Sequence, residues 1–331
     1  MRVIVRRSYD DFVLMKDDWH KLLNDSVVAT PFQTFEFQQE WWQNFGTGEL
    51  LLVCVYEGEK LIGLSSMYVD ESNVLRWLGG EDIVDYQDVI VSKANSDLVV
   101  AHVLDCLSSL ELDEWQQAEL VNIPEWSNTF SQFKKLATTK GWTVSCSLDV
   151  VCPQLDLPDS FESYLGQLSG KQRREIRRKL RRLNSEDVST IFVTESCADT
   201  SSVQDFVALM EVSSEAKSDF LSGGMKDRFI NILKVMQKVG LLQFCFLKLN
   251  NKNLATYAYF SMNDTLYLYN SGYNPSEYAS LSPGWVLLAK LFEHAINTGH
   301  KRFDFMRGNE GYKYKFGGID QQLVRIMIDR E

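Results

Sequence analysis

Apolar and polar positions along this chain switch between two periods, and the order of the switches occurs twice. "RVIVR" (residues 2–6) reads as a strand, and "YDDFVLMKDDWHKLLND" (9–25) spaces its apolar residues as a helix does. "PFQTFEFQQEWWQNFG" (31–46) predicts a second helix, ended by Gly46. Residues 49–79 predict three strands, with turns at Glu57-Gly58 and Glu71-Ser72-Asn73. A helix over 96–110, a strand over 118–123, a helix over 127–141 and a strand over 142–157 complete the first pass. The second pass starts with a strand over 190–195 and helices over 201–217 and 225–240. Three strands fill 241–274, turning at Asn250-Asn251 and Asn263-Asp264. A helix over 282–299 has Pro283 near its start and Gly299 at its end. A strand over 302–308, a loop or short helix over 309–318 and a strand over 322–330 close the pass. The pattern predicts two α/β domains of similar topology, residues 1–158 and 187–331, joined by a helical connector, 159–186.

The connector changes the picture. "SGKQRREIRRKLRRLNSE" (169–186) carries eight basic residues between Lys171 and Arg182, with only Glu175 among them, in a chain of net charge -11. The acidic balance argues against general nucleic-acid binding and against DNA as a partner. Leu165, Leu168, Ile176, Leu180 and Leu183 fall at helical spacing, so one face packs and the arginines cover much of the rest. Arginine's fork suits phosphate and carboxylate. Arg173 and Arg177 are therefore expected to meet a phosphate-bearing ligand; pairing with acidic groups of the first domain is the structural alternative.

Other classes drop out. No long apolar run follows the N-terminal arginines, and none reaches the roughly 20 residues that span a bilayer. Neither a secretory leader nor a transmembrane segment is expected, and the setting is expected to be cytoplasmic. The six cysteines form no CxxC pair and mostly sit in apolar runs, which reads as reduced thiols. The four histidines lack metal-ligand spacing, so no metal is expected.

Two C-terminal stretches carry chemistry. In "LYLYNSGYNPSEYASLSPGWVLLAKLFEHA" (266–295) a strand runs through a polar loop into a helix, the arrangement of an anion site. In "RFDFMRGNEGYKYKFGG" (302–318) Asp304 alternates with Phe303 and Phe305, so it points away from the apolar face of its strand. It is either functional or a partner for Arg307. Lys313 and Lys315 lie among Tyr312, Tyr314 and Phe316. Such a lysine can lose its proton readily or hold an oxyanion or phosphate; it can also rest its stem on the rings with its head in water. In "EDIVDYQDVIV" (81–91) Asp82, Asp85, Tyr86 and Asp88 mark a place where a second ligand would meet the first domain; a solvated acidic loop is the simpler reading.

The order of elements resembles the GNAT acyltransferase fold, and its duplication resembles the FemAB-like branch, with two such domains in tandem. "GKQRREIRRKLRRL", "SPGWVLL" and "FDFMRGNEGYKYKFG" resemble the CelD/BcsL (BioF2-like) group, as do "PFQTFEFQQEWW", "DIVDYQDVIV" and "LVNIPEWS" in the first half. The resemblance implies an α/β (α+β) fold in which each domain is a mixed, mostly antiparallel sheet flanked by helices. It implies acetyl-CoA or another acyl-CoA as co-substrate and a small-molecule or sugar-linked acceptor, in cell-surface polysaccharide biosynthesis. On this reading Lys313, Asp304 and Tyr267 assist catalysis. Asn270, Tyr273, Ser282, Gly284 and Arg307, with Arg173 and Arg177, hold the acyl-CoA. Asp85, Tyr86 and Asn122 meet the acceptor. The loop departs from the usual Q/R-x-x-G-x-G/A pattern: of residues 279–284 only Gly284 matches. Two alternatives stay open: a FemAB-like transferase using aminoacyl-tRNA on a peptidoglycan precursor, and a non-catalytic binding module.

Overall fold

The computed structural model describes residues 1–26, 28–183, 188–193, 201–276 and 278–330. The chain divides into two compact units, Met1–Val151 with Gln321–Glu331, and Cys152–Asp320. The first holds β1 (Arg2–Arg6), α1 (Tyr9–Leu14), α2 (Lys16–Asn24), α3 (Phe35–Phe45), β2 (Glu49–Glu57), β3 (Lys60–Val69) and β4 (Val74–Trp77). It continues with β5 (Ile90–Val91), α4 (Ser96–Ser109), β6 (Gln117–Pro124), α5 (Asn128–Thr139) and the start of β7 (Thr143–Asp156). The second takes the end of β7, then α6 (Phe161–Gln167), α7 (Gly170–Leu183), β8 (Val188–Val193), α8 (Ser201–Ser213), α9 (Glu215–Phe220) and α10 (Met225–Lys238). After these come β9 (Leu242–Leu249), β10 (Lys252–Met262), β11 (Thr265–Tyr273), α11 (Pro283–Asn297), β12 (Arg302–Asp304), α12 (Gly311–Lys315) and β13 (Ile319–Asp329). The division falls inside β7 and again inside β13, so residues 321–329 complete the first unit and 152–156 begin the second.

Each unit is a mixed, mostly antiparallel sheet flanked by helices. In the first, β1, β2, β3 and β4 pair antiparallel in turn, β4 pairs in parallel with β6, and β6 pairs antiparallel with β13. In the second, β8, β9, β10 and β11 pair antiparallel in turn, β11 pairs in parallel with β12, and β12 pairs antiparallel with β7. The hairpins turn where the sequence places asparagines: Asn250, Asn251, Asn263 and Asp264 all have positive φ, which these residues tolerate and which matches strand twist.

Strand periodicity decides which helix covers which face. In the second unit Cys245, Leu247, Tyr257 and Tyr259 join a core with α11, while Phe244 meets Phe206 of α8 at 5.3 Å between ring centroids. Phe292 of α11 stacks on Phe303 at 4.0 Å and on Tyr164 at 4.6 Å. Burying such a ring contributes about 1.5–3 kcal/mol. In the first unit Leu51, Val53 and Val55 of β2 pack with Val99, Val103 and Leu107 of α4 and Phe133 of α5.

Three predicted helices are each two. The stretch 9–25 breaks at Met15, whose N–H turns back to the Phe12 carbonyl. The stretch 201–217 breaks at Ser214, whose hydroxyl caps the start of α9. The basic connector breaks at Leu168, which turns extended and buried, and Ser169 caps the next helix through the Gln172 N–H at 3.3 Å. Tyr164, Leu165, Leu168 and Ile176 belong to the core of the second unit with α11, so the helices expected as a connector lie within that unit. Residues 184–186 and 194–195, which the pattern assigns to helix and strand, lie outside the described residues, as does Cys197.

Candidate functional site

The parallel ladder of β11 and β12 lasts from Thr265–Arg302 to Tyr267–Asp304 and then stops, while β11 runs on to Tyr273. Just past that point β11 carries an extra residue: Leu268 pairs with Tyr259 and Asn270 with Ala258, leaving Tyr269 as a bulge. A bulge bends its strand and increases the local twist. A cavity of about 440 Å³ lies at the end of β11. Its walls are Ser271 to Pro275, Thr256 and Tyr257 of β10, Ser282 to Trp285 and Leu288 at the start of α11, and Tyr312 and Phe316. Gly272 is required here, because a Cβ would lie 2.5 Å from the Met210 backbone nitrogen and 2.6 Å from the Leu209 carbonyl carbon of α8.

Polar atoms of the lining are left over. Thr256 is 1% exposed and its hydroxyl has no partner, and the Trp285 indole N–H has none either. Buried polar groups without partners cost on the order of 1–3 kcal/mol each, so both call for a ligand or solvent atom. The Tyr257 hydroxyl donates to the Gly284 carbonyl at 3.1 Å, and burial pushes its pKa well up.

Cations border the same space. Ser282, with φ of 52°, caps α11 and accepts a hydrogen bond from Lys179 of α7. The Lys179 ammonium lies 5.4 Å from the Trp285 ring centroid, and the Lys315 ammonium 5.7 Å from it. With the positive end of the α11 dipole they make this wall attractive to an anion. On the far side Lys217 of α9 donates to the carbonyl and hydroxyl oxygens of Ser271, the hydroxyl at 3.1 Å. Burial pulls its pKa down to about 8, against the opposing influence of Glu310.

Of the residues expected to hold an acyl-CoA, Tyr273, Ser282 and Gly284 line the cavity. Asn270 sits beside it, its side-chain oxygen accepting from the Ser271 N–H at 2.8 Å. Arg173 and Arg177 are not among the lining residues, and Arg177 pairs with Glu162 of α6.

The three catalytic candidates are buried away from the lining. Lys313 is 2% exposed, and its ammonium donates to the carbonyls of Met306 (3.0 Å), Arg307 (2.7 Å) and Gly308 (3.1 Å) and meets Glu310 at 3.0 Å. An ammonium has three donors, so these contacts account for all of them. Its head is not in water, as the stem-packing reading had it; it clamps the loop that holds Arg307. That loop needs a clamp, because Met306 has φ of 59° and Gly308 of 114°. Asp304 accepts from the Met306 N–H at 2.7 Å and from Gln154 at 2.9 Å. Tyr267 is buried at the last pair of the ladder, and burial, reinforced by Asp304, raises its pKa well above the ordinary phenol value.

In the first unit Asp85, Tyr86 and Asp88 are 8%, 3% and 4% exposed, which overturns the solvated-loop reading for these residues; Asp82 is exposed. Asn122 is fully buried with φ of 57°, its amide donating to the Val84 carbonyl at 2.8 Å.

Lys179, Lys217, Thr256 and Trp285 are what sequence reasoning missed. For Lys179 a signal existed: it follows Ile176 by three residues and so shares the buried face of α7.

Residues 170–314 match the family model described as "Acetyltransferase (GNAT) domain", which is less than half of the chain. Among curated proteins none matches. Solved structures share the fold across both units. FemX superposes with a TM-score of 0.68 at 10% identity, covering 98% of this chain and 97% of that one. L-PGS from Bacillus licheniformis gives 0.61 at 10% identity, covering 95% and 91%. A tandem GNAT protein from the clavulanic acid biosynthesis pathway, solved without AcCoA, gives 0.51 at 9% identity, covering 98% of both. The fold is thus that of tandem GNAT proteins. Among the described residues no helix is long and apolar enough to cross a membrane, and no group of three or more His, Cys, Asp or Glu side chains is placed to hold a metal ion.

Proposed function

We propose that the protein is an acyltransferase whose acyl-CoA donor, acetyl-CoA first among them, occupies the cavity at the end of β11. The observation that carries this reading is the cavity itself, with unpartnered Thr256 and Trp285 atoms inside and Lys179 and Lys315 at the start of α11. The amide-rich arm of the donor would satisfy the unpartnered atoms, and its phosphates would meet the two lysines. Tyr273, Ser282 and Gly284 line its path. The thioester carbon would be attacked directly by an amine or hydroxyl of a small or sugar-linked acceptor. Asp304 and Lys313 act by holding the loop of Arg307, and Tyr267 by holding the end of the ladder. Cell-surface polysaccharide biosynthesis and the CelD/BcsL group are the setting this reading favours, with Asp85, Tyr86 and Asn122 retained as acceptor-side candidates.

Calorimetric titration with acetyl-CoA tests it. Lys179→Ala is expected to weaken binding about tenfold, the scale of one charge-assisted contact; Arg173→Ala/Arg177→Ala should change it little. Absence of binding by the parent protein would sink the proposal.

One feature favours a second reading, an aminoacyl-tRNA donor: Arg174, Arg181 and Arg182 of α7 are exposed. Binding of aminoacyl-tRNA that weakens steeply with salt would support it.

A further inference from the structure

Lys217 is a half-buried amine whose ammonium touches only the two oxygens of Ser271 among its described hydrogen-bond partners. Ser271 lines the cavity. Of the charged groups around Lys217, Glu310 is the one that acts on it, and Glu310 is itself held by Lys313. On α8, the helix packed against α9, Glu211 is engaged by Lys226 at 2.6 Å. On α9 itself Glu215 and Asp219 are exposed, and on β11 Tyr273 is the titratable neighbour at the lining. A cation placed this way, on neutral oxygens and short of water, gives up its proton easily. Acyl transfer to an amine or hydroxyl needs a group that takes a proton from the acceptor. Lys313, the lysine singled out by the sequence, is committed to carbonyls and does not line the cavity.

We infer, resting on the acyl-CoA reading above, that Lys217 holds the proton of the transfer step through the Ser271 hydroxyl. With Lys217 neutral, its nitrogen keeps the bond to the Ser271 carbonyl and accepts the Ser271 O–H. As the acceptor nitrogen or oxygen bonds to the carbonyl carbon, its proton passes to the Ser271 oxygen while the Ser271 proton passes to Lys217. The C–S bond breaks and its electron pair leaves with sulfur. The proton on Lys217 then returns through Ser271 to the thiolate, giving free thiol and acylated acceptor. Ser271 touches the acceptor; Lys217 acts through it and is a positioning residue for the proton.

The test pairs acetyl-CoA binding by calorimetry with thiol release from acetyl-CoA in the presence of a panel of amino sugars, amino acids and neutral sugars, each across pH 6 to 10. In the parent protein kcat/KM should rise with pH and level off near pH 8, following the amine. Lys217→Met should lose roughly 100-fold or more in kcat, lose that break in the profile, and keep acetyl-CoA affinity within about threefold of the parent. Lys217→Arg, which keeps the charge but cannot give up its proton, should be equally slow. Lys217→Met with activity within about threefold of the parent, or with the break near pH 8 unchanged, overturns this inference and leaves the acyl-CoA reading intact. No acetyl-CoA binding by the parent, or no turnover with any acceptor, overturns that reading and this inference with it.

Discussion

In the first unit β4 and β6 run parallel from Val74–Gln117 to Arg76–Glu119; in the second, β11 and β12 run parallel from Thr265–Arg302 to Tyr267–Asp304. Both ladders stop after these few pairs, and the two connections beyond them differ. After β4 the connection over 78–95 folds back onto β6. The Gln87 N–H donates to the Asn122 carbonyl at 3.0 Å, Asn122 donates to Val84, and residues 83–89 are buried. After β11 the connection over 274–282 is half as long and leads straight into α11, and the cavity stays open beside it. The same pair of strands therefore becomes core or site according to the length of the chain that leaves it. The segment and the strand it covers keep unsatisfied atoms, the side-chain oxygens of Gln87 and of Asn122 on β6, so the filling is imperfect in hydrogen bonds though residues 83–89 are buried.

Substitutions at three positions would break or sharpen this contrast. The largest effect belongs to Lys313→Met. It strips the ammonium from three carbonyls and from the exposed Glu310 in the loop beside the open ladder, and each carbonyl left without its donor costs on the order of 1–3 kcal/mol. Urea unfolding should register that loss, and acetyl-CoA binding should fall with it. A loss below about 1 kcal/mol, the scale of an exposed pair, would show that the clamp does not hold the open side.

Next comes Asp88, in the segment that fills the first unit. It accepts from the Val89 N–H and the Ser127 hydroxyl, and burial pushes its pKa up from 3.8 to about 6. The folded state holds this proton more tightly than the unfolded chain does. The cost of ionising it is therefore absent below about pH 4, grows as pH rises to about 6, and is constant above. Stability curves of the parent and Asp88→Asn, measured by urea unfolding from pH 4 to 7, should diverge by on the order of 2–3 kcal/mol. Parallel curves would refute the assignment.

The smallest effect compares two replacements of Asn122. Both Asn122→Ala and Asn122→Gly lose the bond to Val84, but only glycine takes a φ of 57° without strain. The glycine variant should be about 1 kcal/mol more stable in thermal unfolding, with acetyl-CoA binding unchanged in both. Equal stabilities would mean that the backbone there relaxes.

How much of this the sequence announces depends on whether the signal is local. The asparagine turns, the Pro283 helix start and the strand periodicity all rest on φ preferences and neighbour spacing, and most strands stand where those cues place them, though the strand predicted over 302–308 ends at Asp304 and the short β5 left no signal. Helix breaks at Met15 and Leu168 went unseen because apolar spacing carries across a break when the broken residue is itself buried. In the site, Tyr273, Ser282 and Gly284 were legible because strand, loop and helix are contiguous there. Lys179 and Lys217 were not, because each reaches the cavity from a separate helix, and a lysine on a helix reads as a solvated one. Lys313 and Lys315 share aromatic neighbours and the resemblance singled out Lys313, but whether its ammonium meets a substrate or its own backbone depends on how 306–310 turns back, which no spacing records.

The division within β7 and β13 also orders events in time. Residues 321–329 supply the strand beside β6, yet the ribosome makes them only after every residue of the second unit. The first unit must therefore wait, with the edge of β6 bare, while the second unit already possesses all of its strands. Domains usually fold in the order of their synthesis; here the half made first is the half finished last, and a nascent chain halted before residue 321 would carry an unpaired strand edge open to wrong partners.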